Sequence, residues 1–222
     1  MLNTALLALT FLLLFASAEW LHHKRGFKAE VTRKYVHIMT GLLALSFPFL
    51  LNDQWHVLFL CSSFLLILMV SMRWGLLRSI NGVDRETLGG LLYPIVVFGC
   101  YLAYQHFALF VFYYLPILIL AICDPMAALV GRRWPRGRYT VLGHTKTLSG
   151  SFAFFITAIV LGLLLFLGAE EARPLEGLLV ALIVAAMTTV AEGVSHKGYD
   201  NLTVPLSAML VLVLGKASFA FF

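Results

Sequence analysis

Residues 107–130 read FALFVFYYLPILILAICDPMAALV, twenty-four residues with one charged side chain, Asp124. A transmembrane helix needs about 20 predominantly apolar residues, so this stretch is long enough to cross a bilayer. The whole chain has the same character, since 61% of its 222 residues are apolar and 12% are charged. Soluble domains are closer to half apolar and a quarter charged. The sequence therefore predicts a polytopic membrane protein.

Seven further apolar stretches alternate with polar connections along the chain. They are residues 2–18, 35–51, 55–72, 88–104, 150–168, 175–191 and 202–222. No internal repeat or low-complexity linker divides them. We therefore expect one all-α domain over residues 1–222, a membrane helical bundle of about eight transmembrane helices.

The distribution of Lys and Arg predicts the orientation of this bundle. Fourteen of the sixteen lie in the connections after the first, third, fifth and seventh spans, and only Arg173 and Lys216 lie on the other side. Basic residues are enriched in cytoplasmic loops, so both termini should face outward. We expect an integral protein of a prokaryotic cytoplasmic membrane whose active site faces the cytoplasm. The basic residues behind the net charge of +5 lie in these connections between spans, where they act as topology signals. No nucleic-acid partner is therefore expected.

The first cytoplasmic connection enters the second span through residues 30–37, EVTRKYVH. Arg33 and Lys34 lie four and three residues before His37, which places the three on roughly one helical face. Such a face could bind phosphate oxygens. Arg33 and Lys34 could equally anchor the helix end in the lipid headgroups.

Asp124 is the most informative residue of the chain, because a carboxylate within a membrane is unfavourable and needs a partner or a task. Pro125 can interrupt or restart the helix. Gly131 follows seven residues after Asp124, about 10 Å further along a helix, so Asp124 should lie just below the cytoplasmic surface. A structural ion pair, a metal ligand and a catalytic carboxylate are the three interpretations, and we favour the last two.

Residues 131–151, GRRWPRGRYTVLGHTKTLSGS, contain five basic residues together with glycines and hydroxyls. This composition suits a polyphosphate, since glycines let backbone amides approach and helix starts favour anions. Neither a GxxxxGK[ST] loop nor a GxGxxG turn is present. By composition alone, Arg132, Lys146 and their neighbours could also bind lipid headgroups.

Residues 191–205, AEGVSHKGYDNLTVP, contain Glu192 at the end of an apolar helix and Asp200-Asn201 at the start of the next. Asp200 or Asn201 could simply be a helix cap. Together with Asp124, these carboxylates and the nearby cations make up the inventory of metal-assisted phosphoryl transfer. Mg²⁺ is accordingly the expected cofactor.

The order of these motifs resembles the family of dolichol kinases, phytol kinases and CTP-dependent diacylglycerol kinases. The motifs are Arg-Lys-x-x-His, Asp-x-x-Ala-x-x-x-Gly-Arg, Lys-Thr-x-x-Gly-Ser, and Glu followed by Asp-Asn-Leu-Thr-Val-Pro. The resemblance covers roughly residues 30–206 and implies a multi-pass enzyme that phosphorylates a lipid alcohol, typically with CTP. Two positions depart from the family pattern: Ser149 replaces a frequent glutamate, and Pro125 follows the aspartate where threonine is common.

The resemblance implies transfer of the γ-phosphate of CTP, or another nucleoside triphosphate, to an isoprenoid alcohol such as phytol, geranylgeraniol or a polyprenol, or else to diacylglycerol. Mg²⁺ is expected on Asp124 and Glu192. The expected catalytic carboxylates are Asp124, Glu192 and Asp200, with the hydroxyl-orienting base left open between the last two. The expected nucleotide and phosphate ligands are Arg33, Lys34, His37, Gly131, Arg132, Lys146 and Asn201. Membrane lipids are the other expected partners, and the oligomeric state is left open.

The polar residues also permit two other functions. A CTP-dependent phosphatidate cytidylyltransferase would share substrates and setting, but its usual Lys-Asp and Asp-Arg-x-Asp signature is absent from the sequence. A small proton-coupled transporter could use Asp124 and Glu192. Transporter sites usually lie at mid-membrane, whereas these polar residues are predicted at the cytoplasmic ends of the helices.

Overall fold

The computed structural model describes residues 1–82, 88–167 and 174–218. In chain order its elements are α1 (Leu2–Arg25), α2 (Ala29–Ala44), α3 (Phe47–Leu50), α4 (Gln54–Arg73), α5 (Arg78–Asn81), α6 (Gly89–Phe107), α7 (Val111–Leu118), a π-helical turn (Ile119–Cys123), α8 (Asp124–Arg133), β1 (Arg138–Val141), β2 (His144–Thr147), α9 (Leu148–Leu167), α10 (Pro174–Val194) and α11 (Asp200–Ser218). Of the basic residues used to predict the orientation, Arg85 and Arg173 lie outside the described residues, as do the last residues of the spans predicted at 150–168 and 202–222.

Six helical stretches in the described ranges are long and apolar enough to cross a membrane. They are Leu2–Arg25, Gln54–Arg73, Val111–Arg133, Leu148–Phe166, Leu175–Val194 and Asp200–Ser218. The prediction of an all-α polytopic membrane bundle is thereby confirmed. The spans predicted at residues 35–51 and 88–104 coincide with α2 plus α3 and with α6. Because α2 has only 16 residues, the count of eight spans stays a prediction.

The apolar stretch at residues 107–130 contributes to both hydrophobic cores of the bundle. Tyr113, Ile117 and Leu120 pack into a core formed with α1, α2, α4 and α6. Phe112 and Ile119, on the opposite side of the same stretch, pack into a second core formed with α9, α10 and α11. Such a helix contacts protein on both faces, which explains why its sequence shows no polar stripe.

The helix is continuous through Asp124, but it widens to a π turn at Ile119–Cys123. In a π helix each backbone carbonyl pairs with the N–H of the residue five positions later. The Leu120 carbonyl would therefore pair with residue 125, but Pro125 has no N–H. The carbonyl is instead bound by His37 Nε2, which donates to it at 3.0 Å. Pro125 therefore does not end the helix, and it frees one carbonyl for a side chain of α2.

A two-stranded antiparallel hairpin interrupts the otherwise helical structure, with Val141 paired to His144. Leu142 and Gly143 form its two-residue turn and both have positive φ, 49° and 80°. Positive φ at both positions is the type I′ geometry that matches the twist of the flanking strands. This hairpin was not predicted from the composition of residues 131–151, although the alternation in Tyr-Thr-Val and His-Thr-Lys-Thr is a strand pattern.

The predicted orientation can be tested by cysteine labelling, because Cys61, Cys100 and Cys123 are buried and free and can be replaced. In the resulting cysteine-free protein, Arg136→Cys should be protected from a membrane-impermeant thiol reagent in intact cells and react after permeabilisation. Asn52→Cys is the matched variant at the other end of the bundle and should react in intact cells. Both positions are exposed. Labelling of Arg136→Cys in intact cells would show that the orientation is the opposite of the predicted one.

Candidate active site

A polar cavity of about 360 Å³ opens at the end of the bundle that carries the hairpin. All ten residues selected in the sequence analysis line it: Arg33, Lys34, His37, Asp124, Gly131, Arg132, Lys146, Glu192, Asp200 and Asn201. They come from α2, α8, β2, α10 and α11. The fold therefore brings together four segments that are distant in the sequence.

Asp124 begins α8 at the wall of this cavity and is half-buried. Within the described part of the chain, its carboxylate takes part in no hydrogen bond or ion pair, and its neighbours act on it through space. Asp200, His37, Lys34 and Lys146 line the same cavity, and their charges act on Asp124 without a direct contact. Two carboxylates in the wall of one cavity are suited to binding a cation.

Lys146 and Glu192 form an ion pair across the cavity wall, with 2.7 Å between Nζ and Oε1. Lys146 also donates to the backbone carbonyl of Glu192. Their side chains are 20% and 9% exposed, so this pair is held away from bulk solvent. Glu192 was predicted as a metal ligand, and the structure shows its carboxylate already engaged by a cation.

A second ion pair joins α8 to α2 at the rim, where Arg132 Nη2 donates to Glu30 Oε1 at 2.8 Å. The Arg132 side chain is 62% exposed, and exposed pairs contribute about 0–1 kcal/mol. Arg132 can therefore exchange Glu30 for a phosphate at little cost in stability.

Gly131 and Gly150 let α8 and α9 approach closely beside the cavity. A Cβ at Gly131 would lie 2.6 Å from Thr147 Oγ1, and one at Gly150 would lie 2.9 Å from the Ala127 carbonyl. Thr147 Oγ1 also accepts the backbone N–H of Gly150 at 3.1 Å, which caps the start of α9. The structure thus gives Gly131, predicted as a phosphate-binding residue, a packing role at the cavity wall.

Asn201 is buried, and its side-chain nitrogen donates to the Gly89 carbonyl at 2.7 Å. Its backbone N–H is bound by the Asp200 carboxylate at 3.0 Å. Asp200 is the first residue of α11 and its carboxylate binds the adjacent N–H, which is not the N-cap bond to the second or third helical residue. Asn201 attaches α11 to α6. Asp200 nevertheless lines the cavity, while its Oδ1 accepts the backbone N–H at the start of α11.

Sequence reasoning missed several lining residues. His144 and His196 stack with their ring centroids 5.7 Å apart, and Glu30 provides the partner of Arg132. The described lining contains five cationic residues and four carboxylates, which leaves a positive excess suited to a polyphosphate. The cations are Arg33, Lys34, Arg132, Lys146 and Lys197, and the carboxylates are Glu30, Asp124, Glu192 and Asp200.

No group of three or more metal-ligating side chains occurs among residues 1–82, 88–167 and 174–218. A self-sufficient protein site for a metal is therefore not present in these ranges. Mg²⁺ is commonly held by one or two carboxylates together with substrate phosphates. Asp124 and Asp200 fit that requirement, because they face one cavity and influence each other electrostatically.

Comparison with known proteins identified two curated relatives. One is the phytol kinase of Synechocystis, 34% identical over 200 residues that cover 90% of this chain and 85% of the relative. The other is the probable chloroplastic phytol kinase of Zea mays, 30% identical in an alignment 218 positions long that covers 87% of this chain and 69% of the relative. No protein-family model matches the chain. No solved structure matches it either.

Proposed function

Because the chain belongs to the phytol kinase family, we propose that it transfers the γ-phosphate of CTP to the hydroxyl of an isoprenoid alcohol. Its homologues support a membrane-embedded kinase of a lipid alcohol. CTP as the donor and a prenol as the acceptor are the finer parts of the proposal. We further propose that the reaction takes place at the cytoplasmic face of the membrane.

The observation that carries the proposal is the cavity itself, which combines Asp124 and Asp200 with an excess of cations. Phosphoryl transfer passes through a largely dissociative transition state with charge spread over the phosphoryl oxygens. Positioning and charge neutralisation therefore contribute most of the catalysis. A cavity of this composition at the membrane surface supplies both.

In this proposal each charged group in the cavity has a separate role. Asp124 and Asp200 would hold Mg²⁺, which when bound neutralises charge on the phosphates. Lys146 would contact the transferring phosphoryl group, held in place by Glu192 at 2.7 Å. Arg33 and Lys34 at the start of α2 would bind the remaining phosphates. Glu192 thus becomes a positioning residue for Lys146, in place of the metal ligand expected from the sequence.

The experiment that tests this function uses purified protein in detergent with γ-labelled CTP, ATP, GTP and UTP. Each donor is combined with phytol, geranylgeraniol, a long polyprenol and diacylglycerol. We expect the label in prenyl phosphate, fastest with CTP, and no product after chelation of divalent cations. Diacylglycerol phosphorylated faster than every prenol would reverse the acceptor assignment. Transfer of CMP to phosphatidate would overturn the kinase assignment.

A further inference from the structure

An apolar pocket adjoins the polar cavity. It has a volume of about 90 Å³ and is lined mainly by side chains of α1, α2, α4 and α6. Arg33, His37 and Asn201 line both cavities, so the apolar pocket meets the polar one at the wall formed by these residues. A compound held in the apolar pocket would therefore present its end to the phosphate-binding side.

Tyr93 on α6 lines the apolar pocket, and its hydroxyl is buried without a hydrogen-bond partner in the described part of the chain. The residue is 6% exposed. Its ring packs edge-on against that of His37, with the centroids 5.0 Å apart. Buried hydroxyls are nearly always hydrogen-bonded, and each exception requires an explanation. The hydroxyl lies beside Gly41 on α2, where an added Cβ would be 2.7 Å from it, and no described residue supplies its hydrogen bond.

Two glycines form a wall of the pocket without side chains, Gly89 and Gly90. A Cβ built at Gly90 meets no atom within 4 Å, so the space beside it is open. Gly99 lies on the same helix and is equally open, but it does not line this pocket. A substitution at Gly90 therefore tests the effect of filling the pocket, and the same substitution at Gly99 controls for a general change of α6.

We propose that the apolar pocket binds the hydroxyl-bearing end of a prenyl alcohol, with Tyr93 as the hydrogen-bond partner of its hydroxyl. The inference rests on the proposed function and specifies where the acceptor enters. A water needs about 10–15 Å³ by the same measure, so the pocket holds several carbon atoms, about one isoprene unit. The remainder of the chain extends into the bilayer.

The chemistry of the pocket selects a prenol over diacylglycerol. Next to its hydroxyl, diacylglycerol carries two ester groups, whose carbonyl oxygens would be buried among the phenyl rings of Phe11, Phe15 and Phe64. Burying polar groups without hydrogen-bond partners is unfavourable. A prenol has only methyl-branched hydrocarbon there and one hydroxyl for Tyr93.

The test compares Gly90→Leu with Gly99→Leu in the full-length protein. Gly90→Leu should raise the KM for geranylgeraniol at least about tenfold, because its side chain occupies the pocket, and leave the KM for CTP unchanged. Gly99→Leu should match the wild type in both. Equal effects of the two variants on the prenol KM would overturn the proposal.

Tyr93→Phe provides an independent measurement. The KM for geranylgeraniol should rise about fivefold, the size expected for one hydrogen bond, with no loss of thermal stability, since the hydroxyl has no partner to lose. Tyr101→Phe is the control on the same helix, because the Tyr101 hydroxyl donates to the Leu51 carbonyl at 3.2 Å. That variant should lose stability and keep its KM. An unchanged KM in Tyr93→Phe would contradict the role of the hydroxyl.

Photolabelling separates this inference from the proposed function. A geranylgeraniol analogue with a diazirine near its hydroxyl should label α6 around Tyr93 in the wild type and in Gly99→Leu, and not in Gly90→Leu. Labelling in a protein that makes no prenyl phosphate would retain the pocket and refute the kinase function. Activity in the wild type without labelling of α6 would refute the pocket alone.

Discussion

Asp124→Asn is expected to lower turnover by at least about 100-fold, the loss typical when one electrostatic stabiliser of a transition state is removed. The amide keeps the size of the carboxylate and lacks its charge, which a Mg²⁺ ligand must supply. Asp124 has no direct hydrogen-bond or ion-pair partner within the described residues, so the substitution breaks no contact there. Folding should therefore be preserved. The measurement is prenyl phosphate formation at saturating donor, together with the melting temperature in detergent.

Asp53→Asn is the matched control for this substitution. Asp53 caps α4, accepting the backbone N–H groups of Trp55 and His56, and it does not line the polar cavity. Asparagine is an equally good N-cap, so both activity and stability should stay near the wild-type values. Near-normal activity of Asp124→Asn with unchanged Mg²⁺ dependence would remove Asp124 from the metal site.

Lys146→Met is expected to destabilise the protein by about 3–5 kcal/mol, because it leaves the Glu192 carboxylate buried without its cation. Glu192→Gln should cost less, since the amide oxygen can still accept from Lys146. The double variant Lys146→Met/Glu192→Leu should recover most of the lost stability, because a buried pair replaced by apolar residues is often neutral. Unfolding by heat or denaturant in detergent measures all three variants.

Activity distinguishes the structural role of this pair from its chemical role. The double variant should remain inactive even when it is stable, because no ammonium group is left for the transferring phosphoryl group. Glu192→Gln should retain part of the activity, since Lys146 stays in place. A stable double variant with near-normal turnover would show that the pair serves folding alone, and the assignment of Lys146 to phosphate binding would be withdrawn.

The membrane fold could be predicted from the sequence because hydrophobicity is a property of each segment. A stretch such as residues 107–130 must lie in lipid or in a protein core whatever its neighbours do. The same is true of Asp124, whose position in an apolar run marks it as functional or paired before any contact is known. Charge distribution likewise predicts orientation without a structure.

The hairpin at residues 138–147 and the π turn at residues 119–123 were not predicted. Local signals for the hairpin exist, but the glycines and basic residues around them were also typical of a phosphate-binding loop. At the π turn, Pro125 leaves the Leu120 carbonyl without a backbone partner, and His37 on α2, far away in the sequence, binds it. A contact across 83 positions cannot be obtained from the local pattern.

The sequence by itself determined the class of fold, because membrane insertion acts on each segment separately. Its motifs also selected ten residues that line the polar cavity. Only the tertiary structure decided how these side chains combine. It pairs Glu192 with Lys146, attaches Asn201 to the Gly89 carbonyl and places Asp124 and Asp200 in the wall of one cavity. Those pairings depend on which helices pack together, and packing is a property of the whole chain.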